Sequence, residues 1–369
     1  SCRKPGQVAM GSVDVDHPGH AKFVFQHPEA LRPKRLVERH HDLTIGGQFA
    51  KECLTLGHAV ARHLQGHAGI EKSIMQLVEK ERGETLYAAM ETRTQTPGGA
   101  VANTIAGIGA LGLKTGFVGK VCNDALGQFY AKSMNDTGID FLNPPMDGSD
   151  LPTSRSMIFV TPDGERSMNT YLGISADLGS ADVRDEFGNA AKNVFLEGYL
   201  FDKDKGKEAF KRLARSCRAG GGQAGIAISD PFCVERHRDD FFDLIKNELD
   251  YVIGNEAEVQ SLYQTEDTDA ALAQLSDICP MVVCTRSGDG VSAIQNGNRV
   301  DVNVETIVPV DATGAGDQFA AGFLYGILTE RDLDTACRMG CISAGEVIRH
   351  VGPRPEANVF DLFKAEGLV

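Results

Sequence analysis

The sequence predicts an α/β fold in which helices cover both faces of a mostly parallel sheet and a small strand-rich lid is attached. Short apolar runs that end in polar or turn-forming residues alternate with amphipathic helical patterns, as in β-α-β units. Two segments rich in strand and turn signals, about 62–98 and 152–175, interrupt this alternation and predict the lid. Parallel sheets bind ligands at the carboxyl ends of their strands, so we expect the functional residues there.

The predicted elements follow in order from about residue 100. Residues 102–112 have small and apolar side chains at helical spacing, and residues 115–121 form an apolar run closed by a turn. Residues 156–172 predict two strands around the turn Pro162-Asp163-Gly164. The remaining sheet is predicted from four apolar runs and the helical patterns between them: strands within 193–200, 224–230, 250–255 and 280–290, and helices within 207–219 and 239–248.

Residues 1–50 predict an N-terminal extension whose order the sequence does not define, ahead of a folded domain at 51–369. Eight of the ten histidines lie in the first 67 residues, a shift in composition from the rest of the chain. Because these histidines have no regular spacing, a solvated tail is favoured over a metal site.

Composition narrows the class of protein. Hydrophobic residues at 42% and charged residues at 24% are ordinary for a globular enzyme, and a net charge of −14 argues against a partner of duplex nucleic acid. No apolar stretch is long enough for a membrane span, and the first residues lack the apolar segment of a secretory signal, so we expect a cytoplasmic protein. The nine cysteines are scattered without a C-x-x-C pair, which favours free thiols over disulfides or zinc.

A glycine-rich turn near the C-terminus carries the strongest functional signal. Residues 307–310 look like the end of a strand, and the pattern from residue 318 predicts a helix, so Gly314, Gly316 and Asp317 fall at the helix start. Unpaired N–H groups and the helix dipole suit an anion there, although the Walker spacing is missing. Asp317 is either a residue that favours the dipole or a general base for a hydroxyl that attacks a bound phosphoryl group.

The longer motif D-A-T-G-A-G-D-Q-F-A-A-G-F (311–323) resembles the C-terminal signature of the ribokinase family, also called PfkB carbohydrate kinases, which includes adenosine kinases. The resemblance implies a ribokinase-like, three-layer α/β/α fold with ATP and Mg²⁺ as cofactors. It also implies that the turn of Gly314, Ala315 and Gly316 holds the transferred phosphate and that Asp317 is the catalytic base. A monovalent cation, K⁺, is implied near the Asp311 loop.

Two stretches before this motif resemble the same family in the expected order. Pro97-Gly98-Gly99 with Asn103 is similar to its N-terminal glycine pair, which implies that Gly98, Gly99 and Asn103 contact the sugar. Asn255 and Glu258 are similar to its N-x-x-E motif, which implies binding of Mg²⁺ through water. By itself the first stretch also fits a turn before a helix, and the second is a common helix start.

Two further turns carry candidate nucleotide contacts. Thr285, Ser287 and Gly290 lie in a stretch that resembles the nucleotide-binding turn of the family. Arg166 follows the predicted lid turn and resembles an arginine that reaches the phosphates in adenosine-kinase-like members. An exposed charge on a hairpin is an equally weighted interpretation of Arg166.

Ala312 and Ser287 are small departures from the family pattern, and a larger one lies near the start of the domain. Arg62 stands where an aspartate normally grips two sugar hydroxyls, and a guanidinium has no acceptor for them. One alternative is that Gly11-Ser12-Val13-Asp14-Val15-Asp16, about forty residues earlier than expected, supplies the missing motif. The others are an altered substrate, weak activity or a disturbed N-terminal sequence.

We therefore expect an ATP-dependent kinase that phosphorylates a primary hydroxyl of a ribonucleoside, with adenosine favoured, or of a free sugar such as ribose or fructose. The resemblance allows a homodimer that pairs through the lid. Arg62 motivates a second hypothesis, a non-catalytic nucleotide or sugar sensor. A dinucleotide oxidoreductase is a third, although the chain lacks the early G-x-G-x-x-G turn. Phe159 and Tyr171 either stack on a base or pack inside the lid.

Overall fold

A central sheet and a smaller lid sheet organise the residues that the computed structural model describes, which are 41–45, 49–55, 75–90, 94–160 and 166–369. The strands within these ranges are β1 (His41–Ile45), β2 (Phe49–Thr55), β3 (Met75–Leu77), β4 (Thr94–Gly98), β5 (Thr115–Val118), β6 (Ile139–Phe141), β7 (Arg155–Val160), β8 (Arg166–Tyr171), β9 (Ala191–Glu197), β10 (Gln223–Ala227), β11 (Tyr251–Asn255), β12 (Met281–Thr285), β13 (Val291–Gln295) and β14 (Asn298–Val302).

The helices in the same ranges connect these strands. They are α1 (Lys80–Ala88), α2 (Ala100–Ala110), α3 (Ala125–Asp136), α4 (Asp185–Ala190), α5 (Asp204–Ala219), α6 (Pro231–Glu248), α7 (Glu256–Tyr263), α8 (Thr268–Ser276), α9 (Ala315–Leu328), α10 (Leu333–Val347) and α11 (Val359–Ala365).

The central sheet has the order β14-β13-β12-β11-β10-β9-β1-β5-β6. Seven of its strands are parallel to one another: β6, β5, β1, β9, β10, β11 and β12. Only the edge hairpin of β13 and β14 is antiparallel within the described sheet. The chain builds outward from β1 through β5 and β6, then returns to β9 on the other side of β1. This reversal of direction creates a crevice at the carboxyl ends of the strands, where α/β proteins bind ligands.

Both faces of the central sheet are buried, as the continuous apolar runs predict. In β9, Val194 and Leu196 point into one core while Phe195 points into the other, because successive side chains alternate across a strand. Helices α4 to α8 cover the first face, and α2, α3, α9 and α10 cover the second. The predicted three-layer arrangement is thereby confirmed.

The lid is a separate sheet with the order β3-β8-β7-β2-β4. Both segments predicted as the lid contribute strands to it, and β2 joins them from outside those segments. Phe159 and Tyr171 pack with Leu86 and Met157 in a small apolar core, with only 1% and 8% of their surfaces exposed. These two aromatic residues therefore pack the lid instead of offering a stacking surface for a base.

Two features differ from the sequence predictions. Strand β1 lies within residues 1–50, the segment predicted as an N-terminal extension. The sequence does not predict this strand because five residues next to histidines give only a weak strand pattern. Residues 307–310 do not form a strand end. Pro309 has no N–H group for a ladder, and Val308 is 90% exposed, so this segment reaches the glycine turn as a loop.

No helix in the described part of the chain is long and apolar enough to cross a membrane. The seven cysteines whose side chains are described are all free, in agreement with the prediction for them.

Candidate active site

A cavity of about 190 Å³ opens at the carboxyl ends of β9 to β12, in the crevice created by the strand order. The first turns of α2 and α9 close it from the other side. The strand ends and the helix starts together place polar groups around it, because three of these four strands end in a polar residue: Glu197 in β9, Asn255 in β11 and Thr285 in β12. Its lining includes Ala100, Val101, Thr104, Phe195, Tyr199, Ala227, Ser229, Ile253, Gly254, Asn255, Glu258, Thr285, Gly316, Asp317 and Ala320.

Asp317 lines this cavity from the first turn of α9. Asn103 Nδ2 on α2 donates a hydrogen bond of 2.8 Å to Asp317 Oδ2. Thr104 Oγ1 donates another, of 3.0 Å, to the main-chain carbonyl of Asp317. Gln318 Nε2 ties the same two helices together by donating to the main-chain oxygen of Asn103 at 3.1 Å. These bonds hold the carboxylate in a defined position at the cavity wall.

The glycine turn before α9 is shaped by two glycines with different environments. Gly314 has a φ of 84°, and a Cβ there would lie 2.6 Å from Pro353 Cα. A Cβ on Gly316 would meet nothing within 4 Å, so the backbone at this residue is open to a ligand. In the described chain the N–H groups of Gly314 and Gly316 have no acceptor, whereas that of Ala315 donates to the Ala312 carbonyl at 3.2 Å. Free N–H groups at a helix start suit an anion.

Asn255 and Glu258 form a capping box at the start of α7. Glu258 N donates to Asn255 Oδ1 at 2.9 Å, and Asn255 N donates to Glu258 Oε2 at 2.9 Å. Asn255 Nδ2 donates to Glu258 Oε1 at 2.8 Å, so both carboxylate oxygens of Glu258 have a donor. Burial raises the pKa of Glu258 to about 7, the hydrogen bond from the Asn255 backbone opposes that shift, and the charge of Asp230 adds to it.

The raised pKa predicts how stability depends on pH. Between the ordinary value of 4.5 and about 7, the folded chain keeps a proton on Glu258 that the unfolded chain has released. The free energy of unfolding therefore falls as pH rises through this interval, by an amount on the order of 3 kcal/mol. We expect denaturant unfolding at pH 5 and pH 8 to show this loss in the wild type and not in Glu258→Gln, which keeps an acceptor oxygen without titrating. Parallel pH dependences in the two proteins would contradict the expectation.

The residues predicted to contact a sugar lie beside Asp317. Gly99 has a φ of 112°, a left-handed conformation that leads from β4 into α2. Tyr130 Oη donates to the Gly98 carbonyl at 3.1 Å and fixes the glycine pair from behind. Asn103 is fully buried, and among the described groups its Oδ1 has no hydrogen-bond partner. A buried acceptor of this kind calls for a donor from a ligand or water.

The predicted nucleotide-binding turn follows β12. Thr285 lines the cavity, and Arg286 N donates to the Gly290 carbonyl at 2.7 Å to close the turn. Ser287 and Gly290 both have positive φ, 49° and 89°. A Cβ at Gly290 would lie 2.0 Å from the Val302 carbonyl, so glycine is required there by both conformation and space.

Asp311 supports the glycine turn. Only 6% of its surface is exposed, and its two carboxylate oxygens accept hydrogen bonds from the N–H groups of Thr313 at 2.9 Å and Gly352 at 2.8 Å. Asp311 thereby ties the turn to the loop that contains Pro353.

Several polar residues of the site were not predicted from the sequence. Burial raises the pKa of Tyr199, and four nearby carboxylates raise it further: Asp230, Glu197, Glu258 and Asp317. Glu197 Oε1 accepts a hydrogen bond from Ala100 N at 3.1 Å. The available signal was the polar or turn-forming residues that end each apolar run in the sequence. The resulting concentration of negative charge means that a phosphate needs cations to bind here.

Two predicted positions cannot be located in this site. Arg62 lies outside the described residues. Arg166 begins β8 in the lid, but its side chain lies outside the described part of the structure.

A sequence profile of the pfkB family of carbohydrate kinases matches residues 68–358, most of the chain. The chain belongs to this family. PfkB carbohydrate kinases are phosphotransferases with a hydroxyl group as acceptor, and they use ATP with a divalent metal.

Solved structures and sequence relatives agree with this family. A probable sugar kinase from Rhizobium etli CFN 42 is 38% identical, with a TM-score of 0.81, and the match covers 90% of this chain and 100% of that one. Adenosine kinase from Sinorhizobium meliloti is 37% identical, with a TM-score of 0.80 and coverage of 89% and 99%. A 5-dehydro-2-deoxygluconokinase from Geobacillus thermodenitrificans is 27% identical over 270 residues, 70% of this chain and 80% of that protein. The predicted family and ribokinase-like fold of this PfkB kinase are confirmed.

Proposed function

We propose that this PfkB kinase transfers the γ-phosphate of ATP to a primary hydroxyl of a ribonucleoside, with adenosine as the favoured acceptor. The observation that carries the proposal is the placement of Asp317 at one helix start with two free N–H groups, those of Gly314 and Gly316, where Asp317 and Gly316 line the same cavity. A base and an anion site at the same helix start are the two parts that phosphoryl transfer to a hydroxyl requires.

Asp317 acts as the general base in this proposal. Because Asn103 Nδ2 holds Oδ2 at 2.8 Å, the carboxylate stays where an acceptor hydroxyl can reach it. It takes the proton of that hydroxyl as the oxygen attacks the γ-phosphorus. The N–H groups of Gly314 and Gly316 stabilise the negative charge on the transferred group, with Ala315 completing the turn.

Gly98, Gly99 and Asn103 hold the acceptor beside Asp317. The unpartnered Asn103 Oδ1 accepts a hydrogen bond from a sugar hydroxyl, which satisfies a buried acceptor that would otherwise cost free energy. Thr285, Ser287 and Gly290 contact the nucleotide, and Arg166 reaches the phosphates when the lid closes and excludes water.

The divalent metal is Mg²⁺ in this proposal, and the donors present fit an indirect site. Both oxygens of Glu258 already accept hydrogen bonds, and among the described residues no group of three or more His, Cys, Asp or Glu could hold a metal. Mg²⁺ retains several of its waters, so Glu258 with Asn255 would hold it through water while the ATP phosphates supply direct ligands. When bound, the ion would neutralise phosphate charge in a site that already contains the carboxylates of Asp230, Glu197 and Asp317. A K⁺ ion near the Asp311 loop and a homodimer through the lid stay predictions.

Similarity supports both candidate acceptors. The adenosine kinase from Sinorhizobium meliloti, 37% identical over almost its whole length, supports a ribonucleoside. The probable sugar kinase from Rhizobium etli, 38% identical, and the 5-dehydro-2-deoxygluconokinase, 27% identical over 80% of its length, support a sugar or sugar acid as the second candidate acceptor.

An ADP-release assay with ATP, Mg²⁺ and K⁺ tests this proposal. We expect adenosine to give the highest kcat/KM in a panel with other ribonucleosides, ribose, fructose and 5-dehydro-2-deoxygluconate. A preference for a free sugar or sugar acid would move the proposal to the second candidate. ATP binding without turnover on any acceptor would favour the sensor that Arg62 motivates.

A further inference from the structure

A second cavity, of about 310 Å³, lies between α2, α9 and the loop before α11. It shares no lining residue with the candidate active site. Small apolar side chains form most of its wall, including Ala106, Ala110, Ala321 and Val359. Arg354 is the one charged residue among those that line it.

The Arg354 side chain is partly buried, and two of its three guanidinium nitrogens are buried without a hydrogen-bond partner among the described groups. Its Nε and Nη2 atoms have no hydrogen-bond partner within the described structure, and no described carboxylate lies within 4.0 Å of it as an ion pair. Burial lowers the pKa of Arg354. Buried N–H groups of a charged side chain that lack acceptors are unfavourable, so Nε and Nη2 call for an acceptor inside the cavity.

The chemistry of the guanidinium identifies the class of occupant. Two adjacent N–H groups match the two oxygens of a carboxylate or phosphate in a bidentate pair. Water could accept the hydrogen bonds but would leave the charge uncompensated. The apolar wall favours a compact organic body behind the anionic group.

We propose that this cavity is a binding site for a small organic oxyanion, a carboxylate or a phosphate monoester, whose anionic group pairs with Nε and Nη2 of Arg354.

The site adjoins the groups that support the glycine turn. Gln318 Nε2 donates to the main-chain oxygens of both Asn103, at 3.1 Å, and Pro353, at 3.0 Å. Pro353 in turn packs against Gly314. An occupant that holds Arg354 also holds its neighbour Pro353, and so supports the turn from behind.

Calorimetric titration of the full chain with glycerol 3-phosphate, butyrate and inorganic phosphate tests the proposal. We expect one or both organic anions to bind the wild type, and Arg354→Met to weaken that binding about tenfold or more. Arg349→Met is the matched control, because it removes an exposed arginine near the same loop and is expected to bind like the wild type. The two organic probes distinguish a phosphate monoester from a carboxylate.

A second variant keeps the test independent of the stability of Arg354→Met. Ala106→Leu narrows the cavity from α2 without altering the guanidinium, and it is expected to weaken binding of the same organic anion. Wild-type protein that binds neither organic anion, or variants that bind as the wild type does, would overturn the proposal. Asp317→Asn is expected to bind normally, so failure of the kinase proposal and failure of this one are distinguishable.

Discussion

Replacing Asp317 by Asn is expected to lower kcat by about 10²–10⁴-fold, the usual contribution of a general base. The amide has nearly the shape of the carboxylate and keeps an oxygen for Asn103 Nδ2, so the fold and the cavity persist while the proton acceptor is lost. Steady-state ADP release at saturating ATP and acceptor measures the effect. Because the contact with Asn103 remains, we expect the KM for the acceptor to change much less than kcat.

Asp361→Asn is the matched control for this substitution. Asp361 is an exposed carboxylate on α11 that pairs with Lys364 at 3.3 Å, and it does not line the active-site cavity. It is expected to retain wild-type kcat. An Asp317→Asn enzyme that turns over within a few-fold of the wild type would remove Asp317 from the role of base.

The two glycines of the turn are expected to respond differently to alanine. Gly314→Ala imposes a left-handed conformation on a side chain and drives its Cβ to 2.6 Å from Pro353 Cα. We expect the free energy of unfolding to fall by about 1–3 kcal/mol or more, together with most of the activity. Denaturant unfolding and ADP release measure the two effects.

Gly316→Ala is the paired variant, because its added methyl group meets no atom within 4 Å. Stability is expected to stay within about 0.5 kcal/mol of the wild type. The methyl group nevertheless stands where the phosphate approaches the backbone, so we expect kcat/KM for ATP to fall by about tenfold or more. Equal stability of the two variants would contradict the packing against Pro353, and full activity of Gly316→Ala would contradict the anion site.

Local patterns were sufficient for the central layers of the fold. A strand that alternates Val194 and Leu196 with Phe195 is apolar on both faces, which only a covered sheet accommodates. The helix after Gly314 was equally predictable, because a glycine turn followed by apolar residues at helical spacing has few other solutions.

The parts of the fold and the site that the sequence did not predict depend on contacts between segments distant in sequence. Strands β1 and β2 are short and belong to different sheets, so their own residues do not specify their partners. Glu197 and Tyr199 join the site because several strands end at one edge of the sheet. Arg354 faces its cavity because its neighbour Pro353 packs on the glycine turn, some 40 residues earlier in the chain. The spacing of residues in the sequence carries no direct signal for such long-range contacts.

The most direct test of the central claim is ³¹P NMR of the reaction mixture with ATP, Mg²⁺ and adenosine. The proposed mechanism predicts a new phosphate monoester resonance coupled to the 5′ methylene protons, growing with ADP in the wild type and absent with Asp317→Asn. Formation of inorganic phosphate alone, or an ester that forms equally fast in both proteins, would contradict it.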